Sequence, residues 1–354
     1  MFSAEYYPAI YLTIVTLLTL ITCHQGRNPR NNIFAAFSLC VFMILFIGFR
    51  PLSGKVFVDM GNYAMLFRIV KWEGFDFDVS NLIFDNLFDY LGGTGWDISV
   101  FFVLIASIYF GCMFIACKKL FPGNVLLAFL VYLAAFSTFS YGTNGIKAGA
   151  AASIFLVALA YSRTYYISIP MALISWGFHH SMQLPVVAFI GSILFKKTSW
   201  YYGLWIFCLI CSLLHITVFQ TIFAGWTDKQ GAGYLNTIDA EFVTHQGFRI
   251  DFVLYSVCPI IMGYYATVKY RFKDRFYDIL LRTYTLTNAI WLLCMYAPFN
   301  NRIAYLSWLM YPIILIYPCM KQQQYNQPLI RSRNLIVGLH LGFTLFMYLV
   351  YYNI

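Results

Sequence analysis

The chain has 354 residues, of which 61% are hydrophobic and 10% charged, and its formal net charge at pH 7 is +9. Soluble domains carry about 25% charged residues, so this composition excludes a soluble globular protein, which could not bury so much apolar surface. It predicts an integral membrane protein with several spans.

Predicted membrane segments follow one another along the whole chain, and we take residues 1–354 as a single integral membrane domain. Runs long enough for a bilayer core about 30 Å thick lie near 7–23, 33–49, 97–117, 124–140, 145–162, 200–222, 251–268, 278–298, 302–320 and 334–352. Two shorter runs, 165–178 and 181–195, raise the number to about twelve. Because lipid cannot hydrogen-bond to the backbone, each segment should be a helix, and the predicted fold class is all-α. No lysine or arginine precedes Arg27, so the first run is expected to be retained as a span.

Positive charge is distributed unequally between the two sets of connections. With the N-terminus placed outside, fourteen lysines and arginines fall in one set and eight in the other, and Arg282 lies within a run. The positive-inside rule assigns the richer set to the cytoplasm. This bias explains the net charge without a nucleic-acid partner. The two long connections, 50–96 and 223–250, are then external, and such connections commonly carry binding and catalytic residues.

The segment "SIPMALISWGFHHSMQLPVVAFIGSILF" places two histidines between short apolar runs. Residues 165–195 should form a hairpin that enters the membrane from the cytoplasm and returns, with His179 and His180 at its apex. Each arm of about 14 residues measures roughly 21 Å as a helix. The apex should therefore be the floor of a cavity open to the outside. The histidines could instead only cap the hairpin, but ionisable residues inside a membrane favour a functional site.

Further charged residues are predicted at the same level, at the outer ends of helices: Asp59, Lys147, Arg249, Asp251 and Arg302. Each one alone is also explained as a side chain that reaches for the membrane interface. Together with the histidine pair they predict a polar site on the outer face. Carboxylates and histidines permit acid–base chemistry, and the cations permit the binding of an anion.

The external loop 50–96 contains two amphipathic stretches, which predict helices lying on the outer leaflet. In 62–72, Tyr63 belongs to the apolar face. In 82–91, Ile83, Leu87 and Tyr90 oppose two aspartates. Nearby Trp72 could stack on a sugar, or belong to the aromatic belt of the membrane interface.

A diphosphate-bearing amphiphile suits such a site, because its lipid tail can stay in the bilayer while arginines bind the phosphates. The planar fork of arginine matches two phosphate oxygens. If such a site transfers a group from the diphosphate lipid, that lipid is already a good leaving group. No metal or other cofactor is then needed, and we expect activity to resist chelators.

The order of the motifs "VDMGNY", "WEGFDF", "NGIKAGAAASIFLVALAY", "FHHSMQLP", "GFR" and "NRIAYL" resembles the EpsG family, over roughly residues 55–310. These are Wzy-like polymerases of bacterial exopolysaccharide, capsule and O-antigen. One departure concerns the fifth-span element, which often reads Arg-Gln in the family and reads Lys147-Ala148 here.

The resemblance implies a multi-pass glycosyltransferase of the bacterial inner membrane whose active site faces the periplasm or the outside. It implies that the donor and the acceptor are undecaprenyl-diphosphate-linked glycans, and a chain-length co-polymerase is a possible partner. The expected roles are diphosphate binding by Arg249 and Arg302 with help from Lys147, proton transfer by His179 or Asp59, and support from His180. The remaining candidates for substrate binding are Asn144, Asp251, Tyr63, Trp72 and Tyr305.

Two other functions agree with the sequence. A lipid-dependent glycosyltransferase of the GT-C type also works outside the membrane and uses a carboxylate in its first large loop, a role open to Asp59. A flippase or transporter of lipid-linked oligosaccharide would need charges along the whole bundle, whereas here they gather at one face.

Overall fold

A computed structural model describes residues 2–25, 29–78, 80–224, 247–297 and 300–351. These residues form helices and no strands, so the all-α prediction is confirmed for the described part of the chain. Most of the predicted external loop 223–250 lies outside the described residues. The chain divides into two compact units, Met1–Phe178 with Ile330–Ile354, and His179–Leu329. The prediction of one membrane domain stays a prediction.

The first unit contains ten α-helices of the described chain: α1 (Tyr7–His24), α2 (Pro29–Gly48), α3 (Val58–Glu73), α4 (Phe84–Gly93), α5 (Ile98–Leu120), α6 (Val125–Leu133), α7 (Thr138–Thr143), α8 (Ile146–Ala160), α9 (Tyr165–Phe178) and, after the second unit, α18 (Arg333–Phe346). Helix α5 packs against α2 and α8, and α8 also packs against α9. Small residues in α8 permit this close approach. A Cβ atom on Gly149 would overlap the carbonyl oxygen of Tyr141 on α7 and would lie 3.2 Å from the ring of Tyr109 on α5.

The described helices of the second unit are α10 (Gln183–Leu194), α11 (Thr198–Leu213), α12 (Val218–Ala224), α13 (Ile250–Tyr264), α14 (Arg275–Leu293), α15 (Asn300–Trp308) and α16 (Tyr311–Met320), and the short α17 (Gln327–Arg331) leads back to the first unit. Helix α14 is the centre of this unit and packs against α10, α11 and α15. Buried Asn288 on α14 accepts a hydrogen bond from Trp205 Nε1 at 2.7 Å and donates one to Ser307 Oγ at 3.0 Å.

Five stretches of the described chain are long and apolar enough to cross a membrane: Ala4–His24, Ile98–Leu120, Ile250–Lys269, Asn300–Met320 and Arg333–Val350. Four shorter apolar helices accompany them: Asn32–Gly48, Ile146–Ala160, His180–Leu194 and Thr198–Leu213. The chain is a membrane protein, as its composition predicts. The number of about twelve membrane segments stays a prediction.

Two predicted spans are interrupted. The run 124–140 is divided between α6 and α7, and 200–222 is divided between α11 and α12. The first break leaves backbone carbonyl groups without helical donors. Hydroxyl groups donate to them instead: Tyr11 to the oxygen of Leu133 and Thr344 to the oxygen of Ala134, both at 2.7 Å. This pairing makes a non-helical turn tolerable at membrane depth.

The two helices predicted in the external loop are present as α3 and α4. The apolar face predicted for the second was partly wrong, because α4 buries Phe84 and Phe88 while Tyr90 is exposed. The two phenylalanines pack with Phe101 of α5 at ring-centroid distances of 5.4 and 5.0 Å. Phe84, Phe88 and Phe101 therefore form an aromatic cluster that holds α4 against α5.

Candidate functional site

The histidine pair lies at a break between two helices, as the sequence predicts. Helix α9 ends at Phe178, His179 has extended backbone angles (φ −150°, ψ 122°), and a single 3-10 turn, His180–Met182, precedes α10. Both histidine residues are half-buried. Pro185 lies in the first turn of α10, where a proline is well tolerated.

Both imidazole rings take part in local hydrogen bonds. His179 Nδ1 accepts a bond from the backbone N–H of Ser181 at 3.2 Å, so the neutral ring carries its proton on Nε2. His180 Nε2 lies 3.2 Å from the side-chain nitrogen of Gln183. The capping role considered from the sequence is therefore present, and a catalytic role for His179 must be compatible with it.

Arg249 is held by a residue two positions further along the chain. It donates from Nε and Nη2 to the two carboxylate oxygens of Asp251, at 2.9 and 2.6 Å. Its guanidinium carbon lies 3.7 Å from the ring centroid of Phe252. The two charged side chains are only 15% and 19% exposed, which makes this a fixed and partly desolvated pair. The carboxylate occupies one edge of the guanidinium in the geometry that a phosphate would adopt.

Helix α15 connects the histidine turn with the helix that follows Arg249. Its Trp308 ring meets Phe252 edge-on at 4.9 Å, and Trp308 Nε1 donates to Ser256 Oγ at 2.8 Å. The same helix packs against the turn His180–Met182 and against α10. Exposed Arg302 lies in its first turn. One short helix therefore groups the arginine and histidine elements of the second unit.

Tyr305, also on α15, is only 2% exposed and belongs to the interior of the second unit. Its burial leaves no exposed ring face for a sugar in this conformation.

Lys147, in the first turn of α8, makes an ion pair that the sequence did not reveal. Its Nζ lies 2.6 Å from Asp85 Oδ1 and 5.0 Å from the ring centroid of Phe84. Asn81 Nδ2 donates to the other carboxylate oxygen of Asp85 at 2.8 Å. The backbone N–H of Ile83 also donates to the Gly177 carbonyl at 2.8 Å, so the start of α4 is bound to both α8 and α9.

Asp89 lies one turn beyond Asp85 on α4. Burial raises the pKa of its carboxyl group, the neighbouring carboxylates of Asp85 and Asp78 raise it further, and Lys147 lowers it. Asp85 and Asp89 therefore make this side of α4 acidic, and the cation Lys147 lies beside them. No group of three or more histidines, cysteines and carboxylates suited to a metal ion occurs in the described part of the chain.

The other predicted site residues of the first unit have different surroundings. Half-buried Asp59 is in the first turn of α3. Tyr63, one turn further, packs into the aromatic cluster, 5.9 Å from Phe88. Trp72, near the end of the same helix, is 89% exposed. Asn144 follows α7, and its buried Oδ1 accepts no hydrogen bond from the described residues.

The structure brings together Arg249 with Asp251, and it packs the helix that carries Arg302, α15, against the histidine turn. It pairs Lys147 with Asp85, a residue that was not among the predicted site residues. Gln183 was missed as well, although its position three residues after His180 in a turn was a usable signal. These contacts show the surroundings of the predicted residues, and their roles stay predictions.

The EpsG family model matches residues 33–354 of this chain. No curated protein and no solved structure matches it. The chain therefore belongs to the EpsG family, a family of Wzy-like polysaccharide polymerase-type proteins. The resemblance found in the sequence is confirmed, and the match extends beyond residues 55–310. The protein is accordingly a membrane protein related to polysaccharide biosynthesis.

Proposed function

We propose that this protein is a glycosyltransferase that polymerises undecaprenyl-diphosphate-linked oligosaccharide repeat units on the outer side of a bacterial inner membrane. Membership of the EpsG family supports the proposal. The observation that carries it is the grouping in the second unit, where α15 packs against the histidine turn and meets the helix after Arg249. Two arginines and an imidazole pair around one helix suit a reaction with a phosphate leaving group.

In the proposed reaction, a hydroxyl oxygen of the acceptor repeat unit attacks the anomeric carbon of the growing glycan. The bond between that carbon and the donor diphosphate breaks, and the hydroxyl proton passes to a base. The products are a longer glycan on the acceptor lipid and free undecaprenyl diphosphate. The protein must stabilise the negative charge that develops on the diphosphate and receive one proton.

Arg249 and Arg302 are assigned to the diphosphate. The pair with Asp251 uses the Nε–Nη2 edge of Arg249, and the guanidinium group has further N–H donors on Nη1. Asp251 and the Phe252 ring orient the charged plane before substrate arrives, which lowers the entropy lost on binding. Arg302 is exposed in the first turn of its helix, where the helix dipole also favours an anion.

His179 is assigned as the base. Its Nδ1 lone pair faces the N–H of Ser181 at 3.2 Å, at the long end of the hydrogen-bond range. An acceptor hydroxyl that replaces this N–H would meet the basic nitrogen of the ring, so the base must exchange a weak local bond for the substrate. Asp59 stays the second choice predicted from the sequence.

The test is complementation of cells that lack the native gene, followed by analysis of lipid-linked glycans. With His179→Ala we expect one repeat unit per lipid carrier and no polymer, while the protein level stays normal. Repeat units trapped on the cytoplasmic side would overturn the proposal in favour of a transporter. Purified protein should form polymer in EDTA, and a complete loss that Mg²⁺ restores would contradict the metal-free reaction.

Two further variants separate the possible roles of His179. His179→Gln keeps a donor near the position of Nε2–H but cannot take up a proton, and His179→Asn provides neither. A base role predicts loss of polymer in both variants. Polymer formation by His179→Gln alone would show that the ring acts as a hydrogen-bond donor.

A further inference from the structure

A groove on the surface of the first unit lies between the segment after α2 and one face of α3. Its volume is about 430 Å³, within the range of about 300–1,000 Å³ that is usual for small-ligand sites. Gly61 lines the groove, and a Cβ atom there would have only Gly54 Cα within contact distance, at 3.9 Å. Small residues keep this surface open.

The walls of the groove are apolar and unusually exposed. Leu52, Met65, Ile69 and Trp72 are 53%, 57%, 41% and 89% exposed, respectively. Four large apolar side chains around one groove are unfavourable in water and indicate contact with an apolar partner. In a membrane protein, a helix with such a face is typical of the boundary between acyl chains and head groups.

Arg68 provides the positive charge in this groove. It is exposed, and no carboxylate of the described residues forms an ion pair with it. Lys71, the next cation on α3, acts on Asp97 electrostatically and does not line the groove. A single guanidinium in an apolar groove matches one phosphodiester that is attached to hydrocarbon. A diphosphate carries more negative charge, which one guanidinium would match less completely.

We propose that this groove binds an anionic glycerophospholipid, with its phosphate on Arg68 and the start of an acyl chain against Leu52, Met65 and Ile69. The lipid would occupy the leaflet in which α3 lies and would hold that helix at the membrane interface. The proposal does not depend on the polymerase reaction, because it rests only on the groove and its charge.

The experiment is native mass spectrometry of the purified full-length protein in a neutral detergent. Dioleoyl phosphatidylglycerol is titrated against the protein, and phosphatidylcholine with the same chains is titrated in parallel. We expect tighter binding of phosphatidylglycerol to the wild type. Arg68→Gln should weaken that binding about fivefold to tenfold, as expected for one cation at an anionic lipid surface.

Lys55→Gln is the matched control. It removes one positive charge from the same loop, but Lys55 lies outside the groove and only approaches Glu5, at 3.5 Å. The control should bind phosphatidylglycerol as the wild type does. Gly61→Leu tests the shape of the groove while keeping Arg68. Leucine favours a helix more than glycine does, so Gly61→Leu should not weaken α3. A loss of lipid binding in this variant would therefore result from the leucine side chain filling the groove.

Equal binding of both phospholipids, with no effect of Arg68→Gln, would overturn the proposal and show only non-specific lipid around the protein. Undecaprenyl diphosphate is titrated in a third series, and preferential binding of this lipid that depends on Arg68 would overturn the assigned occupant. An equal loss in Lys55→Gln would show a general charge effect. None of these results depends on glycan transfer, so they are distinguishable from a failure of the proposed function.

Discussion

The ion pair between Lys147 and Asp85 gives a prediction about what Lys147 does. The two residues are 62 positions apart, and their pair joins α8 to α4 across 2.6 Å. The perturbation is a double-mutant cycle with Lys147→Met, Asp85→Leu and the double variant. Both substitutions replace a charged side chain by an apolar one that can fill the site.

The expected magnitude follows from the burial of the pair. Exposed ion pairs contribute about 0–1 kcal/mol, and removing one partner of a fully buried pair costs about 3–5 kcal/mol. Here the side chains are 21% and 22% exposed, so we expect about 2 kcal/mol for Lys147→Met. Asp85→Leu should cost about 1 kcal/mol more, because buried Asn81 also loses a hydrogen bond.

The double variant should be much less destabilised than the sum of the single variants, with a coupling energy of about 2 kcal/mol. The measurement is the free energy of unfolding in detergent micelles, taken for all four proteins at one pH and ionic strength. Effects that add to within about 0.5 kcal/mol would refute a direct pair.

The same variants distinguish an anchor from a phosphate-binding residue. If Lys147 mainly anchors α4, Lys147→Met should lose stability, and the double variant should regain both stability and polymer formation. A Lys147→Met protein that is as stable as the wild type but forms no polymer would instead support phosphate binding. The second result would refute the reasoning from the ion pair.

Three further predictions concern local structure. Gly149→Ala should destabilise the protein by about 2 kcal/mol or more, because the new Cβ would overlap the Tyr141 carbonyl. The control Gly111→Ala, where a Cβ meets nothing within 4 Å, should be neutral or stabilising by up to about 1 kcal/mol. Equal unfolding free energies of the two variants would contradict the packing of α8. At the start of α5, hydrogen bonds from the side chain and the backbone N–H of Ser99 lower the pKa of the Asp97 carboxyl group. Asp97→Ala should cost about 0.5–1 kcal/mol at neutral pH, and the difference should shrink as pH falls through the folded pKa, since a protonated Asp97 no longer caps the helix. Burial and its acidic neighbours raise the pKa of Asp89, so Asp89→Asn should stabilise the protein at pH 7. The gain in stability should disappear in acid, where the wild-type carboxyl group is protonated and uncharged. A difference in the free energy of unfolding that does not vary with pH would show that the pKa of this carboxyl group is not raised.

Hydropathy and charge alone predicted the class of protein, the helical fold and the break at the histidines, because these follow from local composition. They did not predict the interruptions of the spans at 134–137 and 214–217. The first depends on hydroxyl groups of Tyr11 and Thr344, which lie more than a hundred residues from the carbonyls they satisfy. A hydropathy average over a short window detects only that both stretches are apolar, and it contains no information about distant hydrogen-bond donors.

The face of α4 was misread for a related reason. Apolar residues cover a broad arc of this helix on the side opposite the aspartates, so two overlapping stripes fit a helical period, one with Leu87 and Tyr90 and one with Phe84 and Phe88. The choice between them depends on Phe101 and the rest of the aromatic cluster in α5. Periodicity finds an amphipathic helix but cannot choose which part of a broad apolar face is buried.

The surroundings of Arg249 show how far local sequence goes toward a site. Within "RIDF" the arginine finds a carboxylate two residues on and an aromatic face three residues on, so four consecutive positions specify a planar cation with a fixed orientation. Lysine can pair with a carboxylate and lie over a ring, as Lys147 does, but it has neither the planar fork that binds both carboxylate oxygens nor a flat face that stacks on the ring. What the motif cannot specify is the neighbour of that cation. The Phe252–Trp308 contact joins residues 56 positions apart, and it is this contact, with the packing of α15 on the His180–Met182 turn, that relates the arginine to the imidazoles. For the proposed function, this means that local sequence orients the arginine assigned to the diphosphate, and that the tertiary fold of the second unit relates this arginine to the histidine turn.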